Sequence, residues 1–386
     1  MSNSLRRLAY LLPAALLLCA SLSWAETEVR VLPAPDRALV PDVVMDQAGV
    51  LHMVYALDET AYYVRSTDNG ATFTPPVKVN SEGTVGQKMG ERGPKLAVGG
   101  DGVIHVVWGD AWYPGVPPSP ARYARSLDGG KTFLPRQNLS TMFGNDGLTV
   151  AADNAGHVVA FWHTMQPPKP DVPQATWLFM ARSNDSGATF AENERVQITG
   201  HSGLACSMCM TRARFGPDGR VYLIFRSAEQ SVRDFYVLSG SPTENNFTAV
   251  RVNEDNWVLP SCPMCGPELT FDPTGRAVSA YMSRHRVYWS LADPHYTSFR
   301  LHVATPDNAD QEIYPTAVAN RQGEVLFLWQ VGPMSLNGTA VVKWALYSKE
   351  GEFTGRQATV GTSFSGTKAT AFVGTDDNFY LVTTAK

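Results

Sequence analysis

Four cysteines stand in two C-x-M-C strings, Cys206-Ser207-Met208-Cys209 and Cys262-Pro263-Met264-Cys265; Cys19 is the fifth in the chain. Thiols at this spacing can do three kinds of chemistry. In an exported protein an even number of cysteines ordinarily oxidises, which here favours a pair of disulfides joining the two strings. Two C-x-x-C pairs that converge could instead offer four thiolates to zinc or copper. The thioethers of Met208 and Met264, with Met89, Met142 and Met210 as further candidates, would tilt such a site toward Cu(I). A redox dithiol is the third option, but its lowered thiolate pKa usually comes from a helix N-terminus, and no helix is legible here. Neither string is followed by histidine, which disfavours a c-type haem.

Whether the two strings can meet depends on the elements that carry them, and these are repeated. Ser66-Thr67-Asp68-Asn69-Gly70-Ala71-Thr72-Phe73, Ser126-Leu127-Asp128-Gly129-Gly130-Lys131-Thr132-Phe133 and Ser183-Asn184-Asp185-Ser186-Gly187-Ala188-Thr189-Phe190 align without gaps as S-x-D-x-G-x-T-F. Degenerate versions sit near Asn246-Phe247, Asp293 to Phe299 and Ser348 to Phe353. The pattern suits a hairpin turn: the Asp accepts turn N–H groups, the Gly takes φ > 0, and the Phe plugs between sheets. These aspartates are therefore expected to be turn staples. A second series of apolar run, turn and apolar run occurs seven times, with turns at Gln47-Ala48-Gly49, Asp101-Gly102, Asn154-Ala155-Gly156, Pro217-Asp218-Gly219, Pro273-Thr274-Gly275, Arg321-Gln322-Gly323 and Thr375-Asp376-Asp377.

The S-x-D-x-G-x-T-F segments resemble the Asp-box (BNR) repeat of sialidases, and the stretch from Cys206 to Pro267 resembles a group of exported bacterial sialidase-like proteins. The fold this implies is an all-β propeller. Seven hairpins favour seven blades, the last one closed by the lone N-terminal strand Glu28 to Leu32; a six-bladed sialidase propeller is the runner-up. A sialidase resemblance further implies a Tyr–Glu nucleophile, an Asp acid/base and three arginines on the sugar carboxylate. The candidates are Glu312 with Tyr314, Asp146 or Asp110, and Arg92, Arg212, Arg226, Arg233, Arg284 and Arg286. The early F/Y-R-I-P signature of that family is not matched, Arg30-Val31-Leu32-Pro33 being the nearest string.

In a propeller the connections that lead into the inner strands form the mouth of the central channel. Both cysteine strings occupy that position on consecutive blades, so their four sulfurs are expected to converge near the axis. Long loops on the same face carry Asp110, Trp112, Tyr113, His163 and Met165, and with Arg226 and Arg233 they are candidates for contact with a glycan or protein ligand. Arg233-Asp234 reads as an ion pair orienting one such loop, and His163 and His285 as structural residues. Two functions follow: an exported binding module whose Cys/Met mouth holds disulfides or a soft metal, which is favoured, and a glycoside hydrolase of sialidase type.

Residues 1–25 read as a secretory signal peptide, with Arg6 and Arg7, an apolar run from Leu8 to Leu18 and a Ser23-Trp24-Ala25 ending. The remainder, 26–386, reads as one domain in the periplasm or outside the cell. Loss of Arg6 and Arg7 takes the net charge of −4 to −6, which argues against a nucleic-acid partner, and no stretch is long and apolar enough for a membrane span.

Overall fold

A computed structural model describes residues 26–384 apart from 36–37, 87–90, 112–119, 141, 143, 166–174, 308, 310, 334–337 and 365–366. Residues 1–25, read from sequence as a signal peptide, and Met89, Trp112 and Tyr113 lie outside the described residues.

Seven sheets form seven blades around one axis. In chain order the inner strands of blades 1 to 7 are Leu39–Met45, Lys95–Val98, Asn145–Ala152, Arg212–Phe215, Glu268–Phe271, Glu312–Ala319 and Thr370–Val373. Each contacts the inner strand of the next blade, and blade 7 returns to blade 1. Blades 1 to 6 carry four antiparallel strands each, blade 4 gaining a short outer strand, Ile198–Thr199, parallel to Phe247–Arg251. Blade 7 is made from both ends of the chain. Val29–Pro33 pairs in parallel with Phe379–Thr383, from Val29 opposite Phe379 to Pro33 opposite Thr383. The seven-blade arrangement therefore holds, and the closing strand begins one residue later than expected. Among the described residues helix is confined to short 3-10 turns such as Glu229–Ser231, and none is long and apolar enough to cross a membrane.

The core is divided into seven clusters, each filling the gap between two neighbouring blades. Strands covered on both faces read as unbroken apolar runs, as in Leu326-Phe327-Leu328-Trp329, all fully buried. The largest side chains sit in the gaps: Trp108 between blades 1 and 2, Trp162 between 2 and 3, Trp289 and Trp329 between 5 and 6. Burial of each contributes roughly 1.5–3 kcal/mol or more.

The three full Asp boxes have one geometry. Asp128 accepts from the Thr132 N–H (2.9 Å) and hydroxyl (2.6 Å) and from Ser126 Oγ (2.8 Å), while Ser126 Oγ accepts the Gly130 N–H (2.9 Å). Asp68 and Asp185 repeat this with Thr72 and Thr189. These bonds hold Asp68, Asp128 and Asp185 down to about 2. Phe133 and Phe190 pack edge-on against Tyr63 and Tyr123 of the preceding blades. The staple therefore joins turn to blade and blade to blade.

The inner hairpins share a register. Asp46, Gly99, Asp153, Gly216, Asp272, Asn320 and Gly374 each donate their N–H to the carbonyl four residues on. Counting four residues back from each gives Asp42, Lys95, Thr149, Arg212, Glu268, Thr316 and Thr370, one polar residue per blade. Counting seven back on blades 2 to 5 gives Arg92, Asp146, Cys209 and Cys265. The first set lies within the channel and the second at its mouth.

Candidate functional site

At the mouth the thiols of Cys206, Cys209 and Cys262 form a triangle. Sγ of Cys206 is 3.0 Å from that of Cys262, and Cys209 Sγ is 3.5 Å from each. These separations exceed the S–S bond length of about 2.05 Å, and all four described cysteines are free thiols. Backbone ties aim the triangle: the Cys206 N–H donates to the Arg226 carbonyl, His163 bonds the Cys209 carbonyl through Nε2 (2.8 Å), and the Met264 N–H donates to Cys262 Sγ (3.3 Å). Cys206 and Cys209 are buried, Cys262 is half-buried, and Met208 beside them is exposed.

Three sulfurs converge and the fourth stands aside. Cys206, Cys209 and Cys262 keep their sulfurs within 4.8 Å of one another, a group that Cys265 does not join. The backbone accounts for this: Tyr314, at φ +54°, turns its N–H onto Cys265 Sγ at 3.3 Å, and Arg226 holds the Cys265 carbonyl at 3.0 Å.

The thiols differ electrostatically. Hydrogen bonds from Cys206 and Cys209 draw the Cys262 thiol well below its ordinary range. Hydrogen bonding to Cys209 and Cys262 pushes Cys206 up, and burial pushes Cys209 up to about 11. Burial also raises Cys265. Arg92, half-buried beside the thiols, pairs with Asp146 (2.9 and 3.1 Å) and reaches the Met208 carbonyl at 3.2 Å. Burial lowers the Arg92 pKa, but Asp146 and the Cys262 and Cys209 sulfurs more than offset that and raise it. The cluster therefore offers one thiolate and two thiols beside a guanidinium, and would present three soft anionic donors on release of two protons.

Beneath the thiols the axis is crossed by charge. Arg212 pairs with Asp42 across the ring and with Glu268 on the next blade; Lys368 reaches Glu268 at 3.3 Å and Glu91 at 3.8 Å. Glu91 in turn accepts the Gly266 N–H, linking this layer to the second cysteine string. Burial raises Glu91 and lowers Lys95 to about 8. Asp42, Lys95, Glu268 and Lys368 escaped the sequence reading, although the constant offset from the hairpin turns points to three of them.

The other expected site residues are dispersed. Arg212 is inside the charge layer, 5% exposed. Arg226, 1% exposed, donates to the carbonyls of Arg233, Cys265 and Met282 and lies over the Phe235 ring, so it braces the second string from below. Arg233 donates to the Leu259 carbonyl, and Asp234 pairs with Arg251; the Arg233-Asp234 pair read from sequence is replaced because Arg251, opposite Tyr236 on the neighbouring strand, reaches Asp234 while Arg233 is drawn to the Leu259 carbonyl. Asp110 is forked by Arg122 at 2.7 and 3.1 Å. Glu312 is fully buried and accepts from the Val287 N–H (3.0 Å) and the Thr305 hydroxyl, with Arg286 at 3.4 Å. Tyr314 is 1% exposed, and burial, with Glu91 and Cys265 adding, raises its hydroxyl. Arg284 donates to the Asp255 carbonyl.

No protein-family model matches the chain, and no curated protein matches it. Solved structures do. An α-L-arabinofuranosidase of Fusarium graminearum is 11% identical with a TM-score of 0.55, covering 84% of this chain and 98% of its own. An α-L-arabinanase of Penicillium chrysogenum, in complex with arabinobiose, is 14% identical with a TM-score of 0.52 and the same coverage. A Hadza microbial sialidase, 13% identical, covers 86% of this chain and 73% of its own at a TM-score of 0.46. At these identities the likeness is one of fold, which this chain shares with the arabinofuranosidase and the arabinanase.

Proposed function

We propose that this protein is an exported propeller that binds a soft metal ion, Cu(I), at its mouth through Cys206, Cys209 and Cys262, and offers that face to a partner or glycan. The observation that carries the reading is the triangle of three sulfurs 3.0–3.5 Å apart on two consecutive blades. Three thiolates suit Cu(I) by softness. Zinc in a closed site wants four ligands. The fourth cysteine is engaged by Tyr314 instead. Arg92 beside the cluster offsets part of the negative charge, and exposed Met208 is placed to supply or guide a thioether.

The test is anaerobic titration of the mature protein with Cu(I) against a chromogenic chelator. One equivalent held by the native chain, lost in Cys206→Ser, Cys209→Ser and Cys262→Ser and kept in Cys265→Ser, is the expected result. Equal retention by all four variants would sink the proposal. A Cys206–Cys262 disulfide in protein purified after export would establish the oxidised alternative, for which the 3.0 Å approach is the supporting geometry.

Action on glycans is the second reading, suggested by the arabinanase and arabinofuranosidase fold neighbours. Against a sialidase mechanism stand the engagements of Arg212, Arg226 and Arg233 with carboxylates or carbonyls of the protein itself. Fluorogenic sialoside and arabinofuranoside substrates separate the two: turnover lost in Asp146→Asn would favour the hydrolase.

A further inference from the structure

The axis has a second open end. On the face of the inner hairpin turns, a cavity of about 390 Å³ runs inward along all seven inner strands. Its walls are mainly apolar, with Val44, Ala97 and Ala371 beside the larger Phe372, but Thr270 and Thr370 also line it, and it stops at Arg212, Arg214 and Glu268. The floor belongs to the charge layer that separates this cavity from the cysteine mouth.

Two features of that floor are incomplete. Arg212 is saturated by Asp42 and Glu268, but Arg214 has Glu268 only at 4.0 Å, beyond hydrogen-bond reach. Thr316, 2% exposed and lining the cavity, has a hydroxyl with no hydrogen-bond partner. A buried hydroxyl without a partner inside the protein is free to bond an occupant of the cavity. Charge agrees. Arg212, Arg214, Lys95 and Lys368 face Asp42, Glu268 and Glu91, four cations against three carboxyls, and burial moves Glu91 toward its neutral form.

We infer that the turn-side cavity is a binding site for a small monocarboxylate with an unbranched apolar tail. The carboxylate would accept from the Arg214 guanidinium and the Thr316 hydroxyl, and the tail would lie along the alanine and valine walls toward the opening. A guanidinium is the natural partner for a carboxylate. The mainly apolar walls favour an apolar tail over a polyhydroxylated one, most of whose hydroxyls would lose water without gaining a partner.

The experiment is calorimetric titration of the full chain with hexanoate, using hexan-1-ol and hexylamine as controls of equal length. One saturable hexanoate site is expected, with both controls at least tenfold weaker. Arg214→Gln should weaken hexanoate by tenfold or more. Ala152→Phe, which narrows the cavity wall without touching the floor, should weaken it as well and serves if the arginine variant folds poorly. No saturable hexanoate binding, equal affinity for hexan-1-ol, or unchanged binding in Ala152→Phe would each overturn the inference. Cys209→Ser should leave hexanoate binding as it is, which keeps this site separate from the mouth.

Discussion

Blades 1 to 3 and blades 4 and 5 meet the same structural demand by different means. Blades 1 to 3 each end in a full Asp box, where Ser, Asp, Gly and Thr within eight residues satisfy one another and press a Phe against the adjoining strands. Blade 4 has only Ser241 and Thr243 at that turn, and blade 5 keeps Asp293 with Thr297 and Ser298. These two blades are held instead by long ties near the mouth: Arg226 to three carbonyls, Glu91 to Gly266, His163 to Cys209. Local staples permit each turn to form alone. The long ties form only when several blades are in place, so the chemistry of the mouth depends on a closed ring.

The comparison breaks hardest at Arg212. Removal of its guanidinium leaves Asp42 and Glu268 buried without their cation, and Arg212→Met should cost about 3–5 kcal/mol in urea unfolding at pH 7. The pH dependence has a definite sign. Burial works to raise Asp42 and Glu268, but Arg212 and neighbouring cations overcome it and hold both well below the usual carboxylate range. A depressed folded pKa stabilises above the unfolded value and is lost as pH falls, so native stability should decline from about pH 4.5 downward. In Arg212→Met that decline should flatten, and the gap between the two proteins should narrow at pH 3. Parallel loss in both would mean that the layer is not the acid-sensitive element.

Arg226→Met tests the ties of blades 4 and 5 directly. Three buried carbonyls lose a charged donor, for about 3 kcal/mol or more. The more informative readout is local. Amide exchange should rise around Cys265 and Met282 while the Asp-box turns at Asp68 and Asp128 stay protected. Uniform exchange across all blades would show that the ties are not confined to this half of the ring.

How much of this was legible in the residues alone divides along the same line. The seven hairpins and the closing strand were readable because a repeat states its period, and each turn is made by residues adjacent in sequence. The meeting of Cys206, Cys209 and Cys262 was readable for the same reason, since equal offsets on consecutive blades bring equal positions together. The separation of Cys265 was not, because it depends on the left-handed backbone at Tyr314, on another blade. The roles of Arg212 and Arg226 were hidden likewise: a guanidinium reaches about 7 Å from its backbone, and no local pattern says which carbonyl or carboxylate it meets. Of the charges placed in the mouth by sequence, Arg92 and Asp146 are there, whereas Arg212 is in the layer beneath it and Arg226 braces it from behind.

The smallest effects sharpen what an Asp-box staple does. Gly130 and Gly102 both have positive φ, +84° and +78°, so alanine is strained at either position by about 1–2 kcal/mol. They differ in what surrounds them. A Cβ on Gly130 would lie 2.0 Å from the Tyr63 ring of the preceding blade, whereas one on Gly102 meets nothing within 4 Å. Tyr63 cannot retreat cheaply, because its hydroxyl is bonded to His52 at 2.7 Å and its ring packs on Phe133. Gly102→Ala should therefore lower stability by the backbone cost alone, and Gly130→Ala by a further 1–3 kcal/mol of overpacking. Thermal unfolding of the two variants measures the difference. Equal losses would mean that the box is a turn motif and nothing more; a larger loss at Gly130 assigns to it the second task of fixing the distance between blades.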